Sequence, residues 1–369
     1  MADLRVEKLA ELLVNYSVEV KKGDKVAISG EILAEPLLKA IYVKVLQAGG
    51  HPYLVSSPTG LDELFFRYAS EEQLKFVAPP TRLIMETYDV RISIGGEENT
   101  KALTCVDPAK LVMNQQSRTE LMKTFMQRAA KKELRWTYAL FPTNAYAQDA
   151  EMGLAEYEDF VYSACLGDIN DPISYWKHFS AWQDKIIHWL KGKKQIHITA
   201  PETDLTFSVE GREFINCDGH ENVPDGEVFT GPVENSMEGK VYFSYPTIYN
   251  GREVTGVRVW FEKGKAVKAT AEKNPDFLNK TLDTYEGARR VGEFAFGTSQ
   301  GITRFTRQIL FDEKINGSFH MAFGASYPET GGLNESAIHW DMICDMRQDS
   351  EVTVDGQLLY KNGKFVIPL

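Results

Sequence analysis

The sequence has few cysteines and no long apolar run, and each absence excludes a class of protein. Its four cysteines lie far apart in 369 residues and form no Cys-x-x-Cys pair. The sequence therefore predicts neither a disulfide framework nor a zinc ribbon, and it fits a reducing cytoplasm. No apolar stretch approaches the ~20 residues that span a bilayer. Residues 1–17 mix charges with leucine at helical spacing, which indicates an amphipathic helix and not a secretory signal.

Positive charge is scarce relative to negative charge. Lys and Arg number 41 against 52 Asp and Glu, which gives a formal net charge of −11. A chain this acidic has no overall attraction for nucleic acid or for an anionic membrane, so we expect neither as a partner.

Several nucleotide and metal motifs are also missing. The chain has no GxxxxGK[ST] and no strand–GxGxxG–helix unit, so a P-loop or nicotinamide enzyme is not expected. His220 and Glu221 begin an HExxH-like run, but Pro224 replaces the second histidine and excludes chelation from one helix.

Two patterns of alternation predict an α/β protein of two domains. In the first half, helical patterns alternate with apolar runs at 25–29, 52–57, 91–96 and 136–142. This order is typical of βαβ units, and it predicts an N-terminal α/β domain with a largely parallel sheet over residues 1–190. Residues 191–369 change to period-two alternation, which predicts a C-terminal α+β domain with antiparallel strands. One helix is predicted there, near 275–292.

Four segments of the second half place carboxylates and imidazoles where composition does not require them. Glu227 follows a Pro-Asp-Gly turn and would begin a strand, while Glu293 would end the predicted helix. His320 lies in an apolar run, and His339 and Asp341 would share one face of a strand.

Each segment alone has an ordinary structural explanation. Glu227 alone fits an exposed strand-end carboxylate. Glu293 fits a helix-end carboxylate paired with a metal or with Arg289 or Arg290. A lone histidine such as His320 is more often a hydrogen-bonded core residue than a ligand.

Together, the two Glu, two His and one Asp are the ligand set of a two-metal hydrolase. Carboxylates offset the charge of two divalent cations, and one carboxylate can bridge ions ~3.5–4 Å apart. Imidazole favours zinc, cobalt or manganese over an all-oxygen calcium site. The candidate metal ligands are Glu227, Glu293, His320, His339 and Asp341.

The segments PDGEVFTGP, GEFAFGTS, FDEK…GSFHMAFGASYPE and NESAIHWD resemble, in order, signature segments of the thermophilic aminopeptidase family of metallopeptidases. Leucyl aminopeptidases of the aminopeptidase T, AmpS and PepS type belong to that family, and the resemblance covers essentially the whole chain. It implies that the five candidate residues bind two divalent metal ions, with Glu293 as the best bridging ligand. It also implies catalytic roles for Tyr327 and for Glu313, the latter as outer ligand or general base. The spacing from Glu313 to His320 is about two residues longer here than in the family.

The resemblance further implies the reaction and its setting. The expected enzyme is a metallo-aminopeptidase that hydrolyses the N-terminal residue from peptides with a free N-terminus, by means of a metal-activated water. Tyr327 would donate a hydrogen bond to the oxyanion, and residues 191–369 would form the catalytic domain. A cytoplasmic homodimer with its active site in an interior cavity is also expected from the family.

Two other functions are the alternatives. A family of ring-opening dioxygenases shares the expected fold but uses a mononuclear iron site, in which the two glutamates do not serve. The presence of both Glu227 and Glu293 argues against that function, and metal stoichiometry separates the two. The other alternative is a non-catalytic peptide- or metal-binding protein on the same scaffold, which turnover of an aminoacyl chromogenic substrate would exclude.

Overall fold

The computed structural model describes residues 3–249 and 251–368. The chain divides into two compact units, one formed by residues up to Tyr175 with Gly219–Pro224, the other by Trp176–Asp218 with the residues from Asp225 onward. The boundary predicted at 190 lies at the end of a helix, whereas this division falls inside that helix and returns a short later segment to the first unit. No helix among the described residues is both long enough and apolar enough to cross a membrane.

The bounds of the secondary structure follow in chain order. The α-helices are Leu4–Leu12 (α1), Glu35–Gln47 (α2), Leu61–Tyr68 (α3), Glu71–Lys75 (α4), Pro79–Thr87 (α5), Pro108–Gln116 (α6), Thr119–Ala130 (α7), Asn144–Asp149 (α8), Leu154–Leu166 (α9), Pro172–Leu190 (α10), Pro275–Leu282 (α11) and Ile309–Asp312 (α12). The strands are Lys25–Glu31 (β1), His51–Ser57 (β2), Val90–Gly95 (β3), Arg135–Leu140 (β4), Gln195–Ala200 (β5), Thr203–Ser208 (β6), Ile215–Cys217 (β7), Asn222–Val223 (β8), Glu227–Thr230 (β9), Glu238–Phe243 (β10), Thr247–Tyr249 (β11), Arg252–Val254 (β12), Val257–Glu262 (β13), Lys265–Thr270 (β14), Val291–Gly297 (β15), Ser318–Gly324 (β16), His339–Asp345 (β17), Glu351–Val354 (β18), Gln357–Lys361 (β19) and Lys364–Phe365 (β20).

The first unit contains the parallel sheet that the sequence predicted. Its strand order is β2-β1-β3-β4-β8, and all four strand pairs are parallel. The central strands carry fully buried Val26, Ile28, Val90 and Ile92, as expected of a sheet covered by helices. The four predicted apolar runs correspond to β1–β4, and the short β8 is an addition that sequence patterning did not indicate.

The second unit is built mainly from two antiparallel sheets, which confirms the mixed α/β class. One has eight strands in the order β14-β13-β10-β6-β5-β18-β19-β20, and the other has five in the order β17-β16-β15-β9-β7. Aromatic side chains join them, for example Phe207 and Phe294, whose ring centroids are 5.0 Å apart. The helix predicted over 275–292 is wrong in its second half, because α11 ends at Leu282 and β15 begins at Val291.

Candidate metal centre

The five-stranded sheet gathers all five candidate ligands on one face. On β15, β16 and β17 the core takes alternate residues, among them Phe294, Phe319 and Trp340. Because neighbouring residues of a strand point to opposite faces, the remaining alternate positions face away from this core. These positions carry Glu227 on β9, Glu293 on β15, His320 on β16, and His339 and Asp341 on β17.

Small residues separate the long side chains on this face. Ala295 pairs with His320, and Ala322 lies between Glu293 and Asp341 in the strand register. Cross-strand neighbours on one face lie ~4.5–5.5 Å apart, so an alanine between two ligands leaves space above it. We call the space above these alanines the recess. Its lining consists of the five candidate ligands, Glu227, Glu293, His320, His339 and Asp341.

Glu293 occupies the centre of the recess and differs from its predicted environment. It lies in strand β15, directly after a β-bulge, and not at a helix end. Its Oε2 atom is 3.1 Å from His339 Nε2, and its Oε1 atom is 3.8 Å from His320 Nε2. The two oxygens of one carboxylate therefore face two different imidazoles, which is the arrangement that a bridging ligand requires.

Glu227 and Asp341 complete two overlapping groups around Glu293. Glu227 Oε2 lies 3.4 Å from His320 Nε2, and Asp341 Oδ1 lies 3.5 Å from His339 Nε2 and 3.9 Å from His320 Nε2. Both of these carboxylate oxygens are buried and accept no hydrogen bond from the described residues. A buried anionic oxygen without a donor is costly unless a cation binds it, so these atoms fit metal ligands.

The histidines are oriented by backbone carbonyls. His320 Nδ1 lies 2.9 Å from the carbonyl oxygen of Glu313, and His339 Nδ1 lies 3.3 Å from that of Ala325. Since a carbonyl can only accept, each Nδ1 carries the proton, and each Nε2 faces the recess. This is the outer hydrogen bond that metal-binding histidines typically make.

The charges of the recess shift the pKa values of its members. Burial alone would lower the histidine pKa values, but nearby carboxylates outweigh it and raise the pKa of His320 to about 10 and that of His339 to about 12. Burial opposes ionisation of Asp341, yet the histidines lower its pKa to about 2, and they also hold the pKa of Glu293 below its ordinary value. Without a metal, protons on the imidazoles balance the carboxylates. Divalent cations fit the same role.

Tyr327 and Glu313 lie beside these ligands. The Tyr327 ring centroid is 5.3 Å from that of His339, and burial followed by the surrounding carboxylates raises the pKa of its hydroxyl, which stays a donor. Glu313 follows α12, and one of its oxygens lies within 4.8 Å of ligand atoms of His320 and Asp341. Burial, opposed by Lys314, raises the pKa of Glu313 to about 7.

Lys314 was missed by the sequence reasoning. Its side chain is completely buried, its ammonium contacts the Glu313 carboxylate, and its Nζ lies 3.9 Å from Glu227 Oε1. Cys217 and Asp225 were also missed, although their ligand atoms lie within 4.8 Å of one another and of Glu227. In the sequence, Lys314 directly follows Asp312 and Glu313. Such a run of charged residues is typical of an exposed segment, so the sequence carried no signal of its burial.

Comparison with known proteins relates the chain to metalloproteases. The sequence model of the family described as thermophilic metalloprotease (M29) matches residues 2–365. Aminopeptidase T of Thermus thermophilus is 29% identical over 97% of this chain and 95% of that protein. Aminopeptidase 2 of Geobacillus stearothermophilus is 26% identical over 99% of this chain and 98% of that protein.

Solved structures show the same relationship. Wild-type AmpT from Thermus thermophilus superposes with a TM-score of 0.85 at 26% identity, covering 98% of this chain and 99% of that one. The 2,5-dihydroxypyridine dioxygenase of Pseudomonas putida reaches a TM-score of 0.58 at 12% identity, covering 98% and 97%, and shares the fold alone. The resemblance indicated by the four sequence segments is thus confirmed, and the chain belongs to the M29 family of thermophilic metalloproteases.

Proposed function

We propose that this protein is a metal-dependent aminopeptidase that removes the N-terminal residue from peptides. The observation that carries the proposal is the central carboxylate of Glu293, whose two oxygens face the Nε2 atoms of His320 and His339. This chain belongs to a metalloprotease family, and the members of known name that are similar to it are named aminopeptidases. Glu227 with His320 would hold one divalent cation, His339 with Asp341 would hold a second, and Glu293 would contact both.

The arrangement of the ligand atoms supports a count of two cations. Glu227, Glu293 and His320 place ligand atoms within 4.8 Å of one another, and so do Glu293, His339 and Asp341, so Glu293 belongs to both groups. The mixed carboxylate and imidazole donors suit zinc, cobalt or manganese.

When bound, the cations would polarise the scissile carbonyl and lower the pKa of water toward about 7. Tyr327 would donate its hydroxyl to the developing oxyanion, since its raised pKa keeps the proton in place at neutral pH. Glu313 lies beside His320 and Asp341, and burial raises its pKa, so it would accept a proton from water and pass it to the leaving amine.

The substrate class is supported by the names of the similar proteins, which are aminopeptidases. A cation of the centre would also offer a binding position to the neutral α-amine of a peptide with a free N-terminus, which would favour exopeptidase over endopeptidase action. By resemblance to the family, we further propose that the enzyme works in the cytoplasm as a homodimer.

The test is hydrolysis of leucine and phenylalanine p-nitroanilides by the chelator-treated protein before and after addition of zinc, cobalt or manganese, with metal counted in parallel. We expect activity that is absent without metal, returns with it, and tracks two ions per chain. One iron per chain without peptidase activity would contradict the proposal and favour a dioxygenase. If the protein showed neither bound metal nor turnover, the five candidate ligands would have a structural role only.

A further inference from the structure

Lys314 is an ammonium placed where a folded protein ordinarily places none. Its side chain is 0% exposed, and it is the one lysine among residues 3–249 and 251–368 that is fully buried. Burying an unpaired charge costs several kcal/mol, and even a buried ion pair is often no more stable than an apolar substitute. Stability alone therefore does not explain a lysine at this position, and its contacts point to a role in the metal centre.

Lys314 lies beside one oxygen of each of two carboxylates near the metal centre. Its ammonium contacts Oε1 of Glu313 and lies 3.9 Å from Oε1 of Glu227. The other oxygen of Glu227, Oε2, faces His320 Nε2 at 3.4 Å and accepts no hydrogen bond from any residue that the structure describes. The two oxygens of Glu227 therefore face different partners, with the ammonium of Lys314 nearest to Oε1 and an imidazole of the recess nearest to Oε2.

This division matters because carboxylates can bind a metal through one oxygen or through both. A catalytic metal site must keep positions free for water and substrate, whereas a structural site is closed by protein ligands. Outer groups that hydrogen-bond to ligating carboxylates set which of these states is adopted.

We propose that Lys314 is a positioning residue that restricts Glu227 to one metal-facing oxygen, and so keeps a coordination position open for water and substrate. This inference rests on the proposed two-metal function. It assigns Lys314 no contact with substrate, and it makes the ammonium a fixed third cation of the centre.

The experiment replaces Lys314 by methionine, which is similar in length and uncharged, and loads the variant with cobalt. We expect K314M to bind two cobalt ions at least as tightly as the natural protein, because a repelling charge has been removed. The freed oxygen of Glu227 should raise the coordination number and weaken the visible cobalt absorption, since more centrosymmetric ligand fields make those transitions less allowed. The kcat should fall about 10- to 100-fold with little change in KM.

The matched control is K361M, which makes the same substitution at an exposed pair between Lys361 and Glu351, 2.6 Å apart. It should leave the cobalt spectrum and kcat unchanged. A second variant, K314Q, keeps an N–H donor, one bond shorter in reach and without the charge, and its spectrum and kcat should lie between those of K314M and the natural protein. K314Q also serves if K314M does not fold.

The outcomes separate this inference from the function on which it rests. A natural protein that binds cobalt and hydrolyses peptides, with K314M or K314Q showing the same spectrum and kcat, would overturn the role of Lys314 alone. A lowered melting temperature with an unchanged spectrum would likewise reduce Lys314 to a structural residue. A natural protein that binds no cobalt would overturn both proposals.

Discussion

Glu293 is the residue on which both halves of the metal centre depend, because each half has an imidazole facing one of its oxygens. We predict that E293Q loses bound metal and hydrolysis together. An amide cannot supply two anionic oxygens, and losing several kcal/mol of transition-state stabilisation lowers the rate about 10²- to 10³-fold. Metal counting and p-nitroanilide hydrolysis on the same sample check this. The control E351Q, at an exposed carboxylate, should change neither.

Tyr327 separates catalysis from metal binding. Its ring lies against those of Phe229 and His339, each at 5.3 Å, so removal of the hydroxyl leaves the packing in place. We predict that Y327F keeps its metal content and KM but lowers kcat about 10²- to 10³-fold, the usual effect of losing an oxyanion donor. A Y327F enzyme with full kcat would contradict the assigned role.

For single residues, the sequence predicted the candidate ligands better than it predicted the structure around them. His339 and Asp341 were expected on one face of a strand, and β17 places them so. The surroundings of Glu293 were predicted wrongly, because an apolar run after a helical pattern does not show where the helix stops. The burial of Lys314 could not be predicted, since a lysine after two acidic residues has the pattern of an exposed turn, and only the tertiary fold encloses it.

Among the strands, β15 contains a β-bulge that orients the carboxylate of Glu293. Its register shifts between Val291 and Glu293, and such a bulge redirects the following side chain. A Cβ on Gly292 would lie 2.2 Å from the carbonyl oxygen of Ala325, so the bulge has no room for one. We predict that G292A lowers the free energy of unfolding by about 1–3 kcal/mol and weakens metal binding.

Thermal unfolding and metal titration measure both effects of G292A. The matched control is G153A, because Gly153 has open space around its Cβ position and an ordinary backbone conformation with φ −70°. Loss of stability in both variants, or in neither, would show that the close approach at Gly292 is not what constrains β15.

The parallel sheet of the first unit gathers acidic residues at the carboxyl ends of its strands. Glu31 ends β1, and burial followed by the charges of Glu97 and Asp62 raises its pKa. A carboxyl whose pKa is raised by folding destabilises the native state once pH exceeds its ordinary value near 4. We therefore predict that E31Q stabilises the protein by about 0.5 kcal/mol at pH 7, a small gain because water screens this partly exposed group.

Urea unfolding at two pH values tests this sign. The gain from E31Q should be present at pH 7, should shrink as pH falls through 4, and should disappear near pH 3, where the natural carboxyl is protonated in both states. A gain of equal size at both pH values would assign the effect to packing and not to charge.

For the whole molecule, local sequence patterns predicted the two kinds of sheet but not which segments of the chain belong to each unit. The alternation of strand and helix gave the parallel sheet, and period-two alternation gave the antiparallel sheets. The return of Gly219–Pro224 to the first unit was not indicated, because β8 is only two residues long and pairs with the distant β4. A single boundary residue cannot describe a chain in which a short segment of the second half belongs to the first unit.

Metal binding and folding should also be linked in the whole molecule. The core of the second unit rests on aromatic packing between its sheets, which involves no metal ligand, so the chelator-treated protein should keep its secondary structure. It should nevertheless unfold at a lower temperature. Cations bound only by the native state add about 3–4 kcal/mol of stability at 100 to 1,000 times their dissociation constant. Loss of metal also removes all hydrolysis.

We therefore predict that chelation lowers the melting temperature by several degrees, that far-UV circular dichroism is unchanged, and that cobalt or zinc restores both melting temperature and activity. E293Q supplies the control, because its melting temperature should respond little to either chelator or metal. A natural protein whose melting temperature ignores chelator, while two ions remain bound, would mean that the ions dissociate more slowly than the experiment lasts, and longer dialysis would then produce the shift. A melting temperature and an activity that persist after metal counting shows none would contradict a role for cations in this recess, because the protonated His320 and His339 and the ammonium of Lys314 would then be enough to offset its carboxylates.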